Sequence, residues 1–184
     1  MNIYADNAAT TKMSPAAMQV MIRCMEEDYG NPSSLYMIGQ KAKETLETAR
    51  EDVAAVINAS PREIYFTSGG SEADNQALLT AAQIGKKKGK MHIISSAFEH
   101  HAILHTLQRL QKDGFEVTLL DVHEDGLIRT EELEAAIRED TCLVTIMYAN
   151  NEIGTVQPIA EIGAICRVHQ VLFHTDAVQA VGHL

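Results

Sequence analysis

After residue 60 the sequence alternates between two textures, and this alternation constrains its fold more than any other feature. Short apolar, β-rich runs stand at Ile64–Thr67, Met91–Ser95, Glu116–Leu120, Cys142–Met147 and Val171–His174. Each has the length of a buried strand and gives way to polar or turn-forming residues. Helical patterns fill the gaps. Ser71 to Lys88 carries Ala73, Ala77, Leu78, Ala81 and Ala82 to one side. Thr130 is placed as an N-cap before the acidic first turn Glu131–Glu132 and then Leu133, Ala136 and Ile137. Pro158 suits the first turn of a helix bearing Ile159, Ile162 and Cys166. Strand–helix alternation predicts an α/β domain with a mostly parallel sheet, and right-handed crossovers place helices on both faces.

The first 60 residues lack this rhythm. Their spacing predicts helices over Pro15–Asp28 and Gly39–Asn58, joined by the turn-rich Tyr29-Gly30-Asn31-Pro32-Ser33-Ser34. The second helix has an apolar stripe at Ala42, Leu46, Ala49, Val53, Val56 and Ile57. Composition narrows the functional classes. A formal charge of −10, from 25 acidic and 15 basic side chains, argues against a general nucleic-acid-binding surface. No apolar run approaches the roughly 18 residues of a membrane-spanning helix, so no membrane partner is expected. The opening MNIYADNAATTK lacks the basic-then-apolar order of a secretory signal. Cys24, Cys142 and Cys166 are distant from one another, which favours reduced thiols and a cytoplasmic location. The basic run Lys86-Lys87-Lys88 with Lys90 reads as a solvated helix C-terminus.

Four segments carry candidate chemistry, each just beyond a β-rich run. In Phe66-Thr67-Ser68-Gly69-Gly70-Ser71-Glu72-Ala73-Asp74-Asn75, two glycines and a helix start offer a phosphate cradle to which Ser71 adds a hydroxyl. The same residues also make an ordinary glycine turn, with Ser71 as N-cap and Asp74 completing a capping box. Glu99-His100-His101, followed by His105, offers either metal ligands on one helix face or surface histidines. The His100 ring at a strand's C-terminal side can also stack on an aromatic ligand or carry a proton. Tyr148-Ala149-Asn150-Asn151-Glu152-Ile153-Gly154-Thr155 forms a turn whose neutral amides can hold a ligand oxygen. In His174-Thr175-Asp176-Ala177-Val178-Gln179, Asp176 follows an apolar run and is expected in a partly buried pocket. A carboxylate there needs a cation: a protonated pyridine nitrogen, a nearby Arg, or a metal shared with His174. Together the four segments match the needs of pyridoxal phosphate, which are a hold on the phosphate, a cover for the ring, a contact to the phenolic oxygen and a carboxylate for the ring nitrogen.

On these motifs the sequence resembles the cysteine desulfurases of the NifS/IscS group, within the class V aminotransferase-like pyridoxal-phosphate enzymes. The resemblance runs through Tyr4-Ala5-Asp6-Asn7-Ala8-Ala9-Thr10-Thr11, Gly30-Asn31-Pro32-Ser33-Ser34, Phe66-Thr67-Ser68-Gly69-Gly70-Ser71-Glu72, Glu99-His100, Asn150-Asn151-Glu152-Ile153-Gly154 and His174-Thr175-Asp176-Ala177-Val178-Gln179. It implies the N-terminal part of the fold-type I pyridoxal-phosphate transferase fold. Residues 1–14 would be an arm near the active site, 15–60 a helical segment partly in a small domain, and 61–184 an incomplete large cofactor-binding domain. It further implies that Gly70 and Ser71 bind the phosphate and that His100 stacks on the ring and assists proton transfer. Asn151 would contact the ring hydroxyl, Asp176 would pair with the pyridinium nitrogen, and Gln179 would touch the ring. No metal is implied.

Two local departures are visible: Gly70-Ser71 stand where the family often has Ala-Thr, and Tyr36 stands where it often has His. The cofactor-anchoring lysine of the family lies in a Ser-Gly-His-Lys motif beyond the Asp-Ala-x-Gln segment, and this sequence reaches only Leu184. The persulfide-forming cysteine and carboxylate-binding arginine lie further on. Cys24, Cys142 and Cys166 do not match that cysteine and are expected to serve packing. For the intact family member the resemblance implies conversion of L-cysteine to L-alanine, a sulfur-acceptor or iron–sulfur scaffold protein as partner, and a homodimer. The intact family member would hold pyridoxal 5'-phosphate, whereas the chain alone is expected to bind it weakly or not at all and to lack turnover. The alternatives are a non-catalytic interaction module and a metal hydrolase built on His101, His105 or the His174/Asp176 pair.

Overall fold

The computed structural model describes residues 2–184, which divide into one unit ending at Phe66 and a second spanning Thr67–Leu184. The first unit holds α1 (Pro15–Glu27), α2 (Met37–Val56) and a 3-10 turn at Pro61–Glu63. Ser14 caps α1 by accepting from the Ala17 amide at 3.2 Å, and Pro15 occupies the first turn. Asp28, at the end of α1, accepts from Thr45 (3.0 Å) and pairs with Lys41 (2.9 Å), which ties the two helices together. Gly39 is required by close approach, because a Cβ there would lie 2.6 Å from the Asn31 carbonyl oxygen. α1 buries none of its residues, and Met18, Met21, Ile22 and Met25 are exposed.

Two expectations for this region are corrected. The α2 stripe is buried only in part: Ala42 is covered and Leu46 half-buried, whereas Ala49, Val53, Val56 and Ile57 are exposed, and the buried Ala54 lies outside the stripe. Residues Ile64–Thr67 form no strand. Their β-rich composition has no neighbouring ladder to join, and the Ile64 carbonyl instead accepts from the Arg50 guanidinium at 2.6 Å.

The second unit is a four-stranded, wholly parallel sheet in the order β2-β1-β3-β4. Along the chain come α3 (Gly70–Lys87), β1 (His92–Ser96), α4 (His101–Lys112), β2 (Glu116–Leu120), α5 (Thr130–Ala136), β3 (Thr141–Thr145), α6 (Ile159–Val168) and β4 (Leu172–His174). The predicted span of β2 is met residue for residue. Predicted Cys142–Met147 begins and ends slightly early as β3, although Ile146 and Met147 stay buried. Thr130 is the first helical residue of α5 rather than its cap, a place taken by Arg129 without a side-chain bond.

The strand pleat sends alternate residues to opposite faces. Ile93 and Leu143 pack with Leu78, Ala82, Ile103 and Leu107 from α3 and α4. Ile94 and Val144 pack with Leu133, Ile162 and Cys166 from α5 and α6. Helices therefore cover both faces, and each fully buried Ile or Leu contributes about 2 kcal/mol of apolar burial. On the first face Gly85 lies against Cys142, where an added Cβ would stand 2.5 Å from the Cys142 Cβ. Because β2 and β3 flank β1 on opposite sides, the chain leaving β1 enters α4 on one face and the chain leaving β3 enters α6 on the other. A crevice follows at the C-terminal ends of β1 and β3, the topological switch point where open α/β sheets hold ligands.

Candidate active site

Every site residue predicted from sequence lies at or beside that edge of the sheet. Gly70 and Ser71 open α3, whose N-cap Gly69 provides no side-chain bond, so the first amides of the helix are free to meet an anion. Ser71 is exposed and is not the cap. The capping carboxylate is Glu72, not Asp74: it accepts from both the amide and the hydroxyl of Ser68 at 2.7 Å. These two bonds hold Glu72 below the usual carboxylate range. Gly70 faces the loop after β4, where a Cβ would lie 2.8 Å from Val178 Cγ2.

His100 caps α4 through its own ring, with Nδ1 accepting from the Ala102 amide at 3.2 Å. The ring is exposed. Asn151 follows β3 and shares with His100 a pocket of about 390 Å³, lined also by Phe98, Glu99, Leu104 and Asn150. The paired asparagines divide their tasks. Asn150 is buried, and its side-chain oxygen accepts from the Glu152 and Ile153 amides at 2.8 and 3.0 Å. It shapes the turn and leaves the half-buried Asn151 amide to the pocket.

Asp176 is buried just past β4, and its Oδ1 accepts from the Val178 amide at 3.0 Å. Its own carbonyl accepts from the Tyr148 amide at 2.8 Å, which joins the loops after β3 and β4. No Lys or Arg forms an ion pair with Asp176 among the described residues. Gln179 is exposed in the following turn.

The metal alternatives find little support in the geometry. The His101 and His105 rings are stacked with centroids 5.6 Å apart. His174 is occupied instead by Thr145 (Nδ1 to Oγ1, 2.9 Å) and faces Asp74 (Nε2 to Oδ1, 3.7 Å). Among the described residues no group of three or more His, Cys, Asp and Glu is arranged to hold a metal.

Two buried carboxylates were not singled out as functional by the sequence reading. Asp74, on α3, is pushed up to about 6 by burial and by the charge of Asp176. Glu99 is pushed up to about 7, chiefly by burial, with Asp176 and Asp74 adding to the effect. The only sequence signal was the position of each, one beside a strand end and one on the first helical turns after it. Desolvation of a carboxyl favours its neutral form, so Asp74 and Glu99 are held toward the uncharged state, and the cation sought at this edge is a partner for Asp176, which has no Lys or Arg. Thr175 Oγ1 and Glu99 Oε2 are buried without a hydrogen-bond partner. This edge is thus suited to a ligand with an anion at one end, a flat ring and a positively charged nitrogen.

The aminotransferase class-V family profile matches residues 3–184, and the chain belongs to that family. Within it, the similarity is to cysteine desulfurases of the NifS/IscS group. The chain is 52% identical over 182 residues to cysteine desulfurase IscS of Clostridium botulinum (strain Kyoto / Type A2), covering 99% of this chain and 46% of the relative. Cysteine desulfurase IscS of Methanosarcina thermophila is 51% identical, with 99% and 45% covered. Among solved structures, a NifS-like protein superposes with a TM-score of 0.95 at 42% identity, covering 99% of this chain and 50% of that one. The structure titled SspA in complex with cysteine gives 0.91 at 39% identity, with 96% and 51% covered. The chain thus spans about half the length of the relatives it matches. No described helix is long and apolar enough to cross a membrane.

Proposed function

We propose that this chain is the cofactor-binding portion of a pyridoxal-phosphate-dependent cysteine desulfurase. The reaction converts L-cysteine to L-alanine and passes sulfur on, as an enzyme persulfide, to an iron–sulfur scaffold or other acceptor protein. The observation that carries this reading is Asp176, a buried carboxylate without a Lys or Arg partner, at the switch-point edge that also holds His100 and Asn151. The residues present fit the cofactor. When bound, pyridoxal phosphate supplies an electron sink for the carbon skeleton of the amino acid. Asp176 keeps the ring nitrogen protonated by offering it a desolvated negative charge. Gly70 and Ser71 hold the phosphate with open helix amides and a hydroxyl. The His100 imidazole covers the ring and holds or moves a proton at its free Nε2, since Nδ1 is occupied by the Ala102 amide. Asn151 contacts the ring hydroxyl with a neutral amide, and Gln179 borders the ring.

The lysines of the sheet unit do not serve as an anchor. Lys86, Lys87, Lys88, Lys90 and Lys112 all lie at or just beyond the C-terminal ends of α3 and α4, at the opposite edge of the sheet. The 184-residue chain is therefore expected to bind pyridoxal 5'-phosphate only weakly and without covalent attachment, and not to turn over cysteine alone; pyridoxamine 5'-phosphate, which has no aldehyde, probes the non-covalent contacts by themselves. In the intact enzyme the proposed state is a cytoplasmic homodimer. The exposed apolar side chains of α1 are expected to drive self-association of the isolated chain, and a monodisperse monomer in light scattering at high concentration would speak against this.

The test is a titration of the chain with pyridoxamine 5'-phosphate. Asp176→Ala is expected to weaken binding at least about tenfold, the loss of one charge-assisted contact. Equal affinity of the variant and the unmodified chain would sink the assignment.

A further inference from the structure

Glu99 precedes the ring-covering histidine and contributes nothing to the roles assigned above, yet it is only 4% exposed. One of its oxygens, Oε1, accepts two hydrogen bonds from different strands' ends. The Ser96 hydroxyl donates at 2.5 Å from the last residue of β1, and the Met147 amide donates at 2.9 Å from just beyond β3. A second tie runs the other way between the same two loops, where the Asn150 side-chain amide donates to the Phe98 carbonyl at 3.3 Å. His100 and Asn151 are the next residues along these two loops, and both line the same pocket. The crevice at a switch point is open by construction, because the two loops depart toward opposite faces of the sheet. A side-chain bridge across it sets the separation of the groups that face a ligand.

We propose, resting on the cofactor-binding reading above, that Glu99 is a positioning residue whose Oε1 clamps the β1 loop to the β3 loop and so fixes His100 relative to Asn151. Its second oxygen, Oε2, is buried and has no partner. Burial favours the neutral carboxyl, so an uncharged amide of the same length reproduces the bridge. An Asp, one methylene shorter, cannot reach both donors from the same backbone position.

The experiment compares Glu99→Gln and Glu99→Asp in the full 184-residue chain with two readouts. The first is hydrogen exchange at the Met147 amide without ligand. The second is the circular dichroism induced in the absorption band of bound pyridoxamine 5'-phosphate. E99Q is expected to stay within about twofold of the unmodified chain in both. E99D is expected to speed Met147 exchange at least about tenfold, the effect of one lost hydrogen bond. It should also reduce the induced signal several-fold, while Val144 within β3 keeps its protection. The proposal is overturned if E99D retains the induced signal, even with faster Met147 exchange, or if E99Q is as impaired as E99D. Should E99D fail to fold, Ser96→Ala removes one of the two donors. A smaller shift of the induced signal in the same direction supports the clamp, and an unchanged signal refutes it. Failure of the unmodified chain to bind the probe would count against the cofactor assignment, whereas Met147 exchange would still decide the bridge.

Discussion

The two ends of the sheet are built from similar residues in opposite ways. At the N-terminal end, polar groups satisfy one another. His92 is fully buried and uses both ring nitrogens, Nδ1 with Thr141 (2.8 Å) and Nε2 with Thr118 (2.9 Å), across three strands. Burial and the nearby Arg138 charge hold that imidazole below its ordinary value. Arg138 in turn spans Asp140 and Glu116. At the C-terminal end, Asp74, Glu99 and Asp176 are buried within range of one another, and Glu99 Oε2 and Thr175 Oγ1 lack partners. The first arrangement contributes stability. The second leaves Asp176 buried without a Lys or Arg, an unmet electrostatic demand of the kind a binding site holds before its ligand arrives.

This contrast can be broken by substitution, and the largest effect is expected at the satisfied end. His92→Ala would leave a cavity, strip the Thr118 hydroxyl of its histidine partner and leave the Thr141 hydroxyl with the Arg138 amide alone, costing about 3 kcal/mol in denaturant unfolding while leaving pyridoxamine 5'-phosphate affinity unchanged. A cost below the scatter of the measurement would mean that the network is not structural.

The next effect belongs to the other end and has a defined sign. Asp74 titrates at about 6 against an ordinary 3.8, and Glu99 at about 7 against 4.5. These two carboxyls therefore hold more protons in the folded state than in the unfolded one between about pH 4 and 7, and their contribution to stability falls as pH rises through that window, opposed near its upper end by the lowered His92 and His174. Asp74→Asn should remove its share, on the order of 2 kcal/mol, and flatten the lower part of the stability profile. A variant whose profile keeps the same slope from pH 4 to 6 would refute the strain assigned to Asp74. The smallest effect is expected for Arg138→Ala. Its ion pairs are solvent-exposed, so the urea midpoint should barely move, and a large shift would show that the first end depends on more than His92.

What was legible in the sequence follows from the same physics. The strands of the sheet were visible because each buried run is bounded by turn chemistry, and β2 was read to the residue. His100, Asn151 and Asp176 were found together because each immediately follows such a run, and parallel topology brings those ends to one edge. Ile64–Thr67 misled because β composition describes a surface that fits a ladder and says nothing of whether one is adjacent. Asp74 and Glu99 were passed over as functional residues because what distinguishes them is burial beside Asp176, a property of packing between elements distant in sequence. The exposed Val53, Val56 and Ile57 belong to the same class: helical spacing marked the stripe but not what covers it.

The placement of the three thiols has a practical consequence. Cys142 lies in the packed layer formed with α3 and α4, pressed against Gly85, and Cys166 lies in the layer formed with α5 and α6. Burial raises both thiols, Cys166 to about 11, so neither reacts readily while covered. Cys24 sits half-exposed on α1 in the other unit. Alkylation of the unmodified protein, followed by mass spectrometry of each peptide, therefore times the opening of each sheet face separately, with Cys24 as the reference thiol that needs no opening. The molecule carries its own clock for the order in which its layers come apart.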